Sequence, residues 1–329
     1  MTASPMPSSA ESGSSKKSGN RTQAPILITM GEPSGIGPEV ALAAFDHFDG
    51  KVGSHPLKLV GDAAVFAARK NALIPTQARV TATPGRPDGA NAAAVIEAIE
   101  IAVSACLKGE AAALVTAPIH KAVLKRGGFG FPGHTEFLAH LTGARRAVMM
   151  LASDKLRVVP LTIHMPIADV PGAISKQAVF DTGEIVLTAL RRDFGILGPR
   201  LAVAGLNPHA GEDGVLGAED EAVIAPAVAA LKARGFHVRG PLSADTLFHE
   251  EARKSYDAAL CMYHDQALIP IKSLSFWDGV NVTLGLPIVR TSPDHGTALD
   301  IAGTGKADAR SMIAAVKMAA DMADARFKH

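Results

Sequence analysis

The chain has 329 residues, of which 47% are hydrophobic and 20% charged, and 33 lysines and arginines nearly balance 32 aspartates and glutamates. This length and composition predict a globular protein of about two domains. A net charge of +1 argues against a large basic surface for nucleic acid, and the two cysteines, Cys106 and Cys261, are too few for a disulfide framework and fit a reducing cytosol.

The first 24 residues form a separate block that is rich in serine and has no apolar segment. We expect a disordered tail over residues 1–24, because such a composition offers nothing to pack. This block also lacks the apolar core of a signal peptide, and no apolar run in the chain reaches the roughly 18 residues of a membrane span. We therefore expect a cytoplasmic protein with no membrane segment.

From Ile26 onward, short apolar runs alternate with longer segments of helical period. Strands are predicted at Ile26–Met30, Leu57–Val60, Ala112–Thr116, Val148–Ala152, Leu156–His164, Leu201–Leu206, Ala258–His264 and near Val280–Leu286. Helices are predicted at Pro38–Phe45, Ala92–Leu107 (with Asn91 as its N-cap), Ile119–Lys125, Lys176–Phe194, Asp220–Gly235 and Asp308–Phe327. The last helix is expected to pack against the first half of the chain. This alternation predicts an α/β fold with a mostly parallel sheet and helices on both faces.

A glycine-rich segment, residues 30–39, follows the first strand and opens a helix. Its glycine spacing is similar to the cofactor loop of short-chain dehydrogenases, which also need a Tyr-xxx-Lys pair. The two tyrosines, Tyr256 and Tyr263, are followed four residues later by Leu260 and Ala267, so that interpretation fails. A tight strand-to-helix turn and an anion-binding loop at the helix N-terminus both stay open.

Three histidines stand at or just beyond the carboxyl ends of three predicted strands: His164, His209 and His264. Ligands of open α/β sheets bind beyond this edge, so the three imidazoles are expected to gather there. Three histidines with an open fourth position are typical of a catalytic zinc site, although each one alone could be an ordinary hydrogen-bonded loop residue. Asp265 and Asp245 lie nearby and are candidates for a proton acceptor or for orienting a ligand.

A second group of residues supplies positive charge and polar donors. Lys272, Asn281 and Arg290 fall within one stretch of predicted turn and strand, and residues 133–135 begin a predicted helix. Cations, an amide and a helix N-terminus are the groups that hold a phosphate or carboxylate. Residues 293–303 are rich in small polar side chains and predict a loop that could contact a nucleotide. The residues alone therefore predict a metal-assisted enzyme acting on a small anion.

Seven motifs occur in a fixed order, at Met30–Glu39, Thr116–Lys121, Gly133–Glu136, Leu206–Glu212, Tyr263–Gln266, Asn281–Pro287 and Arg290–Gly303. Together they resemble the 4-hydroxythreonine-4-phosphate dehydrogenase (PdxA) family of pyridoxal phosphate biosynthesis. The resemblance extends from about Ile26 to the C-terminus.

The resemblance implies a fold like that of isocitrate and isopropylmalate dehydrogenases, with two α/β/α domains and an active site in the interdomain cleft at a dimer interface. Residues 25–145 together with about 266–329 would form the nucleotide-side domain, and about 146–265 the domain that carries metal ligands and dimer contacts. It also implies a homodimer with a shared active site, in which one metal-binding histidine comes from the partner subunit.

The resemblance further assigns roles to particular residues. It implies metal binding by His164, His209 and His264, substrate binding by His134, Thr135, Lys272, Asn281 and Arg290, and nucleotide binding by Asp294, His295 and Gly296. Asp245 and Asp265 are the unranked candidates for the catalytic base. The cofactors would be NAD or NADP and a divalent metal, with zinc favoured and magnesium or cobalt as alternatives.

The implied reaction oxidises 4-phosphohydroxy-L-threonine, a small phosphorylated substrate, to a β-keto acid that decarboxylates to 3-amino-2-oxopropyl phosphate. Three alternatives stay open at this point. Related dehydrogenases act on phosphorylated threonate or erythronate or on cis-dihydrodiols, a phosphate acyltransferase can share the fold, and a zinc-bound hydroxide could serve a hydrolase.

Overall fold

The computed structural model describes residues 23–328. The predicted tail therefore lies outside the described residues, apart from its last two positions. Ala24 is buried, and its carbonyl oxygen lies 2.8 Å from Nδ1 of the buried His55. Ala24, which its composition places in the predicted tail, therefore belongs to the packed part of the chain and is held there by a hydrogen bond to its backbone carbonyl.

The described residues form twelve strands and ten α-helices. The strands are β1 (Ile26–Thr29), β2 (Lys51–Val52), β3 (His55–Gly61), β4 (Leu73–Pro75), β5 (Ala113–Thr116), β6 (Val148–Ala152), β7 (Arg157–Pro160), β8 (Arg200–Ala204), β9 (His237–Leu242), β10 (Ala258–Cys261), β11 (Val280–Leu284) and β12 (Arg290–Pro293). The helices are α1 (Gly37–His47), α2 (Ala92–Lys108), α3 (Lys121–Arg126), α4 (His134–Thr142), α5 (Val170–Ala173), α6 (Lys176–Arg192), α7 (Ala225–Ala233), α8 (Glu250–Arg253), α9 (His264–Leu274) and α10 (Arg310–Phe327).

All twelve strands belong to one sheet, in the order β2-β3-β1-β5-β12-β11-β6-β7-β10-β8-β9, with β4 on β3. Parallel pairs predominate, as the sequence predicted, and antiparallel pairing is confined to β2–β3 and to the run from β12 through β11 and β6 to β7. Strands β11 and β12, from late in the chain, therefore lie in the middle of the sheet beside β5 and β6. Their position brings the last part of the chain next to both the first and the middle parts.

Helix α10 packs against β1, β5, β11 and β12 and against α1, which confirms the predicted contact of the last helix with the first half of the chain. Its Ala315, Val316 and Ala319 are fully buried. Helix α2 packs against β1 and β5 as well, and against β3. Alanine and valine on its inner face allow close approach to the sheet.

With the three residues before it, α2 is also the described helix that length and composition alone would allow to cross a membrane. The sequence contains no uninterrupted apolar run there, because Glu97 and Glu100 interrupt it. Glu97 accepts hydrogen bonds at 2.9 Å from the backbone amides of Gln77 and Ala78. These hydrogen bonds join the outer side of α2 to the segment that follows β4.

Several local predictions were wrong. Asn91 does not cap α2 with its side chain, which instead bonds the backbone of Thr81, while Asp88 accepts the amide of Ala90 at the preceding turn. The strands predicted to reach His164 and His264 end at Pro160 and Cys261.

Candidate active site

A cavity of about 1060 Å³ opens where β5, β7 and β10 end, above the central strands β6, β11 and β12. Eleven of the thirteen residues predicted for the site line it: His134, Thr135, His164, His264, Asp265, Lys272, Asn281, Arg290, Asp294, His295 and Gly296. His209 and Asp245 do not line it. Its size is in the range that holds a small ligand together with part of a second one.

Arg290 is the most buried charged group of the cavity wall, with 3% of its surface exposed. Alternation along β11 and β12 places Asn281, Thr283, Arg290 and Ser292 on one face of the sheet. The guanidinium donates to the hydroxyls of Thr116, at 2.6 and 3.2 Å, and Thr283, at 2.8 Å. No carboxylate pairs with it among residues 23–328, and burial lowers its pKa to about 10. The site thus holds a buried cation without a counterion, which an anionic ligand would stabilise.

His134 opens helix α4 and faces the same region. Its pKa lies well below the ordinary value, first because of burial and then because of the nearby charges of Arg290 and Lys121. The ring is therefore neutral at physiological pH, and its buried Nε2 has no hydrogen-bond partner within the described part of the chain. Gly133, which precedes the helix, has no side chain to cap it, so the first amides of α4 remain free for an anion.

Lys272 lies in the last turn of α9 and pairs with Asp294, at 2.8 Å between Nζ and Oδ2. Lys272, which is predicted to bind the substrate, and Asp294, which is predicted to bind the nucleotide, therefore neutralise each other. The backbone of Asp294 is fixed by Ser311 of α10, whose hydroxyl accepts the Asp294 amide at 3.0 Å and donates to the carbonyl of Gly279. Beside it, Nε2 of His295 is buried without a partner among residues 23–328.

The glycine-rich turn, residues 30–39, supports this loop from behind. The amide of Ile36 donates to the carbonyl of Thr297 at 2.9 Å. A Cβ on Gly35 would lie 2.7 Å from that carbonyl, and one on Gly31, whose φ is +66°, would lie 2.4 Å from the carbonyl of Pro118. Residues of this turn do not line the cavity. Of the two interpretations, close backbone packing accounts for its glycines.

His164 and His264 lie side by side at the cavity mouth, with ring centroids 5.9 Å apart. They meet because β7 and β10 are adjacent parallel strands, and the pairing continues past their ends through the amide of Leu161 to Cys261. Nδ1 of His264 lies 2.7 Å from Oδ1 of Asp265, which leaves Nε2 as its free ring nitrogen. An imidazole held through Nδ1 by a carboxylate is typical of a metal ligand.

His209 lies outside this cavity, in a loop after β8 whose backbone is left-handed at His209 (φ +53°), Ala210 (+54°), Glu212 (+43°) and Asp213 (+52°). Such conformations cost free energy for residues with a Cβ and are often kept at functional sites. Asp220 anchors the loop, because its buried carboxylate accepts the amides of Leu206 and Asn207.

Asp245 lies near His209. The hydroxyl of Ser243 and then the charge of His209 are among the causes that lower its pKa. Two of the predicted site residues therefore lie near each other, away from the cavity. Among residues 23–328 there is no group of three histidine, cysteine or carboxylate side chains positioned to hold a metal ion. Metal binding by all three histidines stays a prediction.

Two residues of the cavity were missed as site residues, although the motif Thr116–Lys121 contains both. Thr116 ends β5 and holds Arg290, and Lys121 begins α3 and adds a second cation near His134. The available signal was the position of this motif at the carboxyl end of a buried strand, the same rule that selected the histidines.

Comparison with known proteins gives consistent results. The model of the family described as pyridoxal phosphate biosynthetic protein PdxA matches residues 39–319. A 4-hydroxythreonine-4-phosphate dehydrogenase of Roseobacter denitrificans is 54% identical over 320 residues, covering 91% of this chain and 97% of the relative.

Two solved structures are similar as well. The crystal structure of a 4-hydroxythreonine-4-phosphate dehydrogenase from Klebsiella pneumoniae superposes with a TM-score of 0.82 at 35% identity, covering 92% of this chain and all of that one. A terephthalate 1,2-cis-dihydrodiol dehydrogenase from Burkholderia xenovorans gives 0.66 at 27% identity, covering 91% and 98%.

Proposed function

The chain belongs to the PdxA family, and from that premise we propose that its cavity oxidises 4-phosphohydroxy-L-threonine with NAD or NADP, giving a β-keto acid that decarboxylates to 3-amino-2-oxopropyl phosphate. The observation that carries the assignment of the substrate site is Arg290, a buried cation with no carboxylate partner among the described residues. A phosphate dianion supplies the missing counterion.

The phosphate is proposed to lie between Arg290, Lys121 and the start of α4. There the amide groups and Thr135 donate to it, and neutral His134 offers Nε2 for a hydrogen bond. Lys272 joins when the substrate competes with Asp294 for its ammonium group. Asn281, on the same face of the sheet as Arg290, is assigned to the polar end of the substrate.

The residues at the cavity mouth fit a divalent metal, because His164 and His264 face each other and Asp265 holds Nδ1 of His264. A bound divalent cation supplies Lewis acidity to the hydroxyl that is oxidised, and a bound nicotinamide supplies the hydride acceptor. The nicotinamide nucleotide is assigned to Asp294, His295 and Gly296. Zinc suits imidazole ligands best, with cobalt and magnesium as alternatives.

Removal of the hydroxyl proton is assigned to a carboxylate at the cavity mouth. Asp265 already lines the cavity, exposed to solvent and able to pass a proton outward. Asp245 lies near His209, and we propose that both residues reach the metal site from the other chain of a dimer. Both carboxylates stay candidates for the base: Asp265 comes from the chain that forms the cavity, and Asp245 from the other chain of the proposed dimer.

We further propose a homodimer in which His209 and Asp245 complete the site of the partner subunit. Exposed apolar side chains flank both halves of the metal site: Ile167, 66% exposed, lies three residues beyond His164, and Val215, 79% exposed, lies in the His209 loop. Pairing the two apolar surfaces would bury them and bring the three histidines together.

The domain assignment fits the same picture. Residues 25–145 with about 266–329 would form the nucleotide-side domain, and about 146–265 the domain with metal ligands and dimer contacts. The sheet order is consistent with this division, because β12 pairs with β5 of the first segment and β11 pairs with β12, with the boundary falling between β11 and β6. We assign the protein to the cytoplasm, without nucleic acid or membrane partners.

Mixed dimers test the shared site. A His209→Ala chain retains His164 and His264, whereas a His264→Ala chain retains His209, so one complete site forms in each mixed dimer. Random mixing of the two inactive variants should restore about a quarter of wild-type activity. The matched control mixes His164→Ala with His264→Ala, which damage the same half-site and should not complement. Equal activity in both mixtures would refute a partner-derived His209.

The substrate is tested by the reduction of NAD⁺ or NADP⁺, which is followed by the absorbance of the reduced nicotinamide at about 340 nm. The expected result is turnover with 4-phosphohydroxy-L-threonine, little with 4-phosphothreonate, 4-phosphoerythronate or a cis-dihydrodiol, and loss of turnover after exhaustive chelation. Preference for any of the other substrates would reassign the chain within the family. The identity of 54% to a 4-hydroxythreonine-4-phosphate dehydrogenase, against 27% to a dihydrodiol dehydrogenase, favours the first substrate.

A further inference from the structure

A second cavity, of about 700 Å³, lies at the opposite edge of the sheet from the candidate active site. It opens beside Arg200 and His237, where β8 and β9 begin, whereas the active site lies where strands end. The two cavities share no lining residue among those described. Nothing in the proposed oxidation uses this second cavity.

Four arginines and one histidine line this second cavity, and no acidic side chain of the described chain does. The cations come from separate elements: Arg191 and Arg192 end α6, Arg234 follows α7, and Arg326 lies in the last turn of α10. The whole chain has a net charge of only +1, so this concentration of positive charge is local.

The arginines are only partly neutralised by neighbouring carboxylates. Buried Asp193 pairs with both Arg192 and Arg326, at 2.6 Å each, and Glu184 pairs with Arg234 at 2.8 Å. Arg191 has no hydrogen-bond or ion-pair partner within residues 23–328. Two positive charges therefore remain in excess. Arg234 uses one terminal nitrogen for Glu184, so its other donors are also free for a ligand.

The rest of the wall is apolar and includes Leu187, Leu197 and Phe236. Leu197 is 69% exposed, so its side chain is accessible to a ligand in this cavity. A planar guanidinium fork matches the oxygens of a phosphate, and an apolar wall matches a carbon skeleton. The volume is typical of small-molecule sites.

We propose that this cavity binds a small organic phosphate, with Arg191 and Arg234 holding the phosphate and Leu197 and Phe236 contacting its carbon body. The site would be present in each chain in addition to the candidate active site. Its ligand is recognised by charge and by apolar contact together, so a phosphate ester should bind more tightly than inorganic phosphate.

The test is isothermal titration of the full-length protein with phenyl phosphate and with inorganic phosphate at constant ionic strength. The double variant Arg191→Gln/Arg234→Gln should raise the dissociation constant of the cavity for phenyl phosphate by about tenfold or more. The matched control is Arg79→Gln/Arg145→Gln, which removes two exposed arginines that line neither cavity and should leave the titration unchanged.

Each result decides the proposal. A double variant that titrates like the wild type, or a control that loses affinity equally, would overturn it, because binding would then not depend on this cavity. Equal affinity for the two phosphates would overturn the assignment to an organic ligand. Both double variants should retain the wild-type kcat and KM in the dehydrogenase assay, which checks that they are folded. The single variant Arg191→Gln breaks no contact within the described residues and should show a smaller loss of affinity in the same direction.

Discussion

Replacing Arg290 with methionine should stabilise the ligand-free protein slightly while it removes most of the activity. Burial lowers the pKa of this guanidinium from its ordinary value to about 10, so keeping its charge in the fold costs about 3 kcal/mol. The variant leaves the hydroxyls of Thr116 and Thr283 without their donor, at about 1 kcal/mol each. The net expectation is a gain of about 1 kcal/mol in the free energy of unfolding.

The activity should change in the opposite direction. Loss of a buried cation that binds phosphate costs about 3 kcal/mol or more in transition-state stabilisation, so kcat/KM should fall by at least about 100-fold. Urea denaturation and steady-state assays measure the two effects. The control is Arg326→Met, which removes hydrogen bonds to buried Asp193 and to the carbonyls of Pro287 and Ile288; because Asp193 keeps Arg192 as a partner, we expect a destabilisation of about 2 kcal/mol. A comparable destabilisation by Arg290→Met would show that Arg290 serves the fold, and the reasoning would fail.

Three further predictions concern the residues around the site. The unfolded chain takes up a proton at His134 near its ordinary pKa of 6.5, but the folded chain does not, so stability should fall as pH drops below 6.5, by up to about 1.4 kcal/mol per pH unit. His134→Gln should lose that part of the slope in urea titrations at several pH values, and an unchanged slope would contradict the neutral assignment. Ala210→Gly should increase the free energy of unfolding by about 1 kcal/mol, because glycine adopts a φ of +54° without the Cβ clash. The urea midpoint should rise accordingly, and a lower midpoint would count against strain in this loop. Asp294→Asn should release Lys272 and tighten phosphate binding several-fold in calorimetry, whereas unchanged affinity would show that the ion pair does not compete with the ligand.

Much of the fold follows from the sequence because its central elements are uniformly apolar or strictly periodic. β1, β5, β6, α2 and α6 all lie within about two residues of their predicted bounds. Such segments are buried by the chain's own packing, so the local pattern and the final environment agree.

The missed elements depart from those patterns for physical reasons. β12 is buried, yet its sequence is polar and lacks the apolar pattern of a buried strand. Its side chains Arg290 and Ser292 are polar because they face the cavity and not an apolar layer. α9 contains Pro270, which weakens a helical pattern, and Lys272, predicted to fall in a stretch of turn and strand, lies in the last turn of this helix. β9 contains Gly240 and Pro241, which weaken a strand pattern and are tolerated because β9 is the edge strand of the sheet. Two of these three elements, β12 and α9, carry residues of the candidate active site, where side chains serve a ligand and need not follow a regular pattern.

The three histidines were all selected because they follow the carboxyl ends of predicted strands, and the structure shows for which of them this position is enough to bring the side chains together. His264 lies three residues beyond β10 and His164 four beyond β7, close enough for the register of two adjacent strands to hold their rings together. His209 lies five residues beyond β8, where a run of left-handed backbone begins, and it lies near Asp245 and not in the cavity wall. Strand register therefore brings two of the predicted metal ligands together, whereas the position of the third depends on the conformation of its own loop. We expect the strained loop to present His209 to the site of a partner subunit, because His209 does not line the cavity of its own chain and such strain is often kept at functional sites.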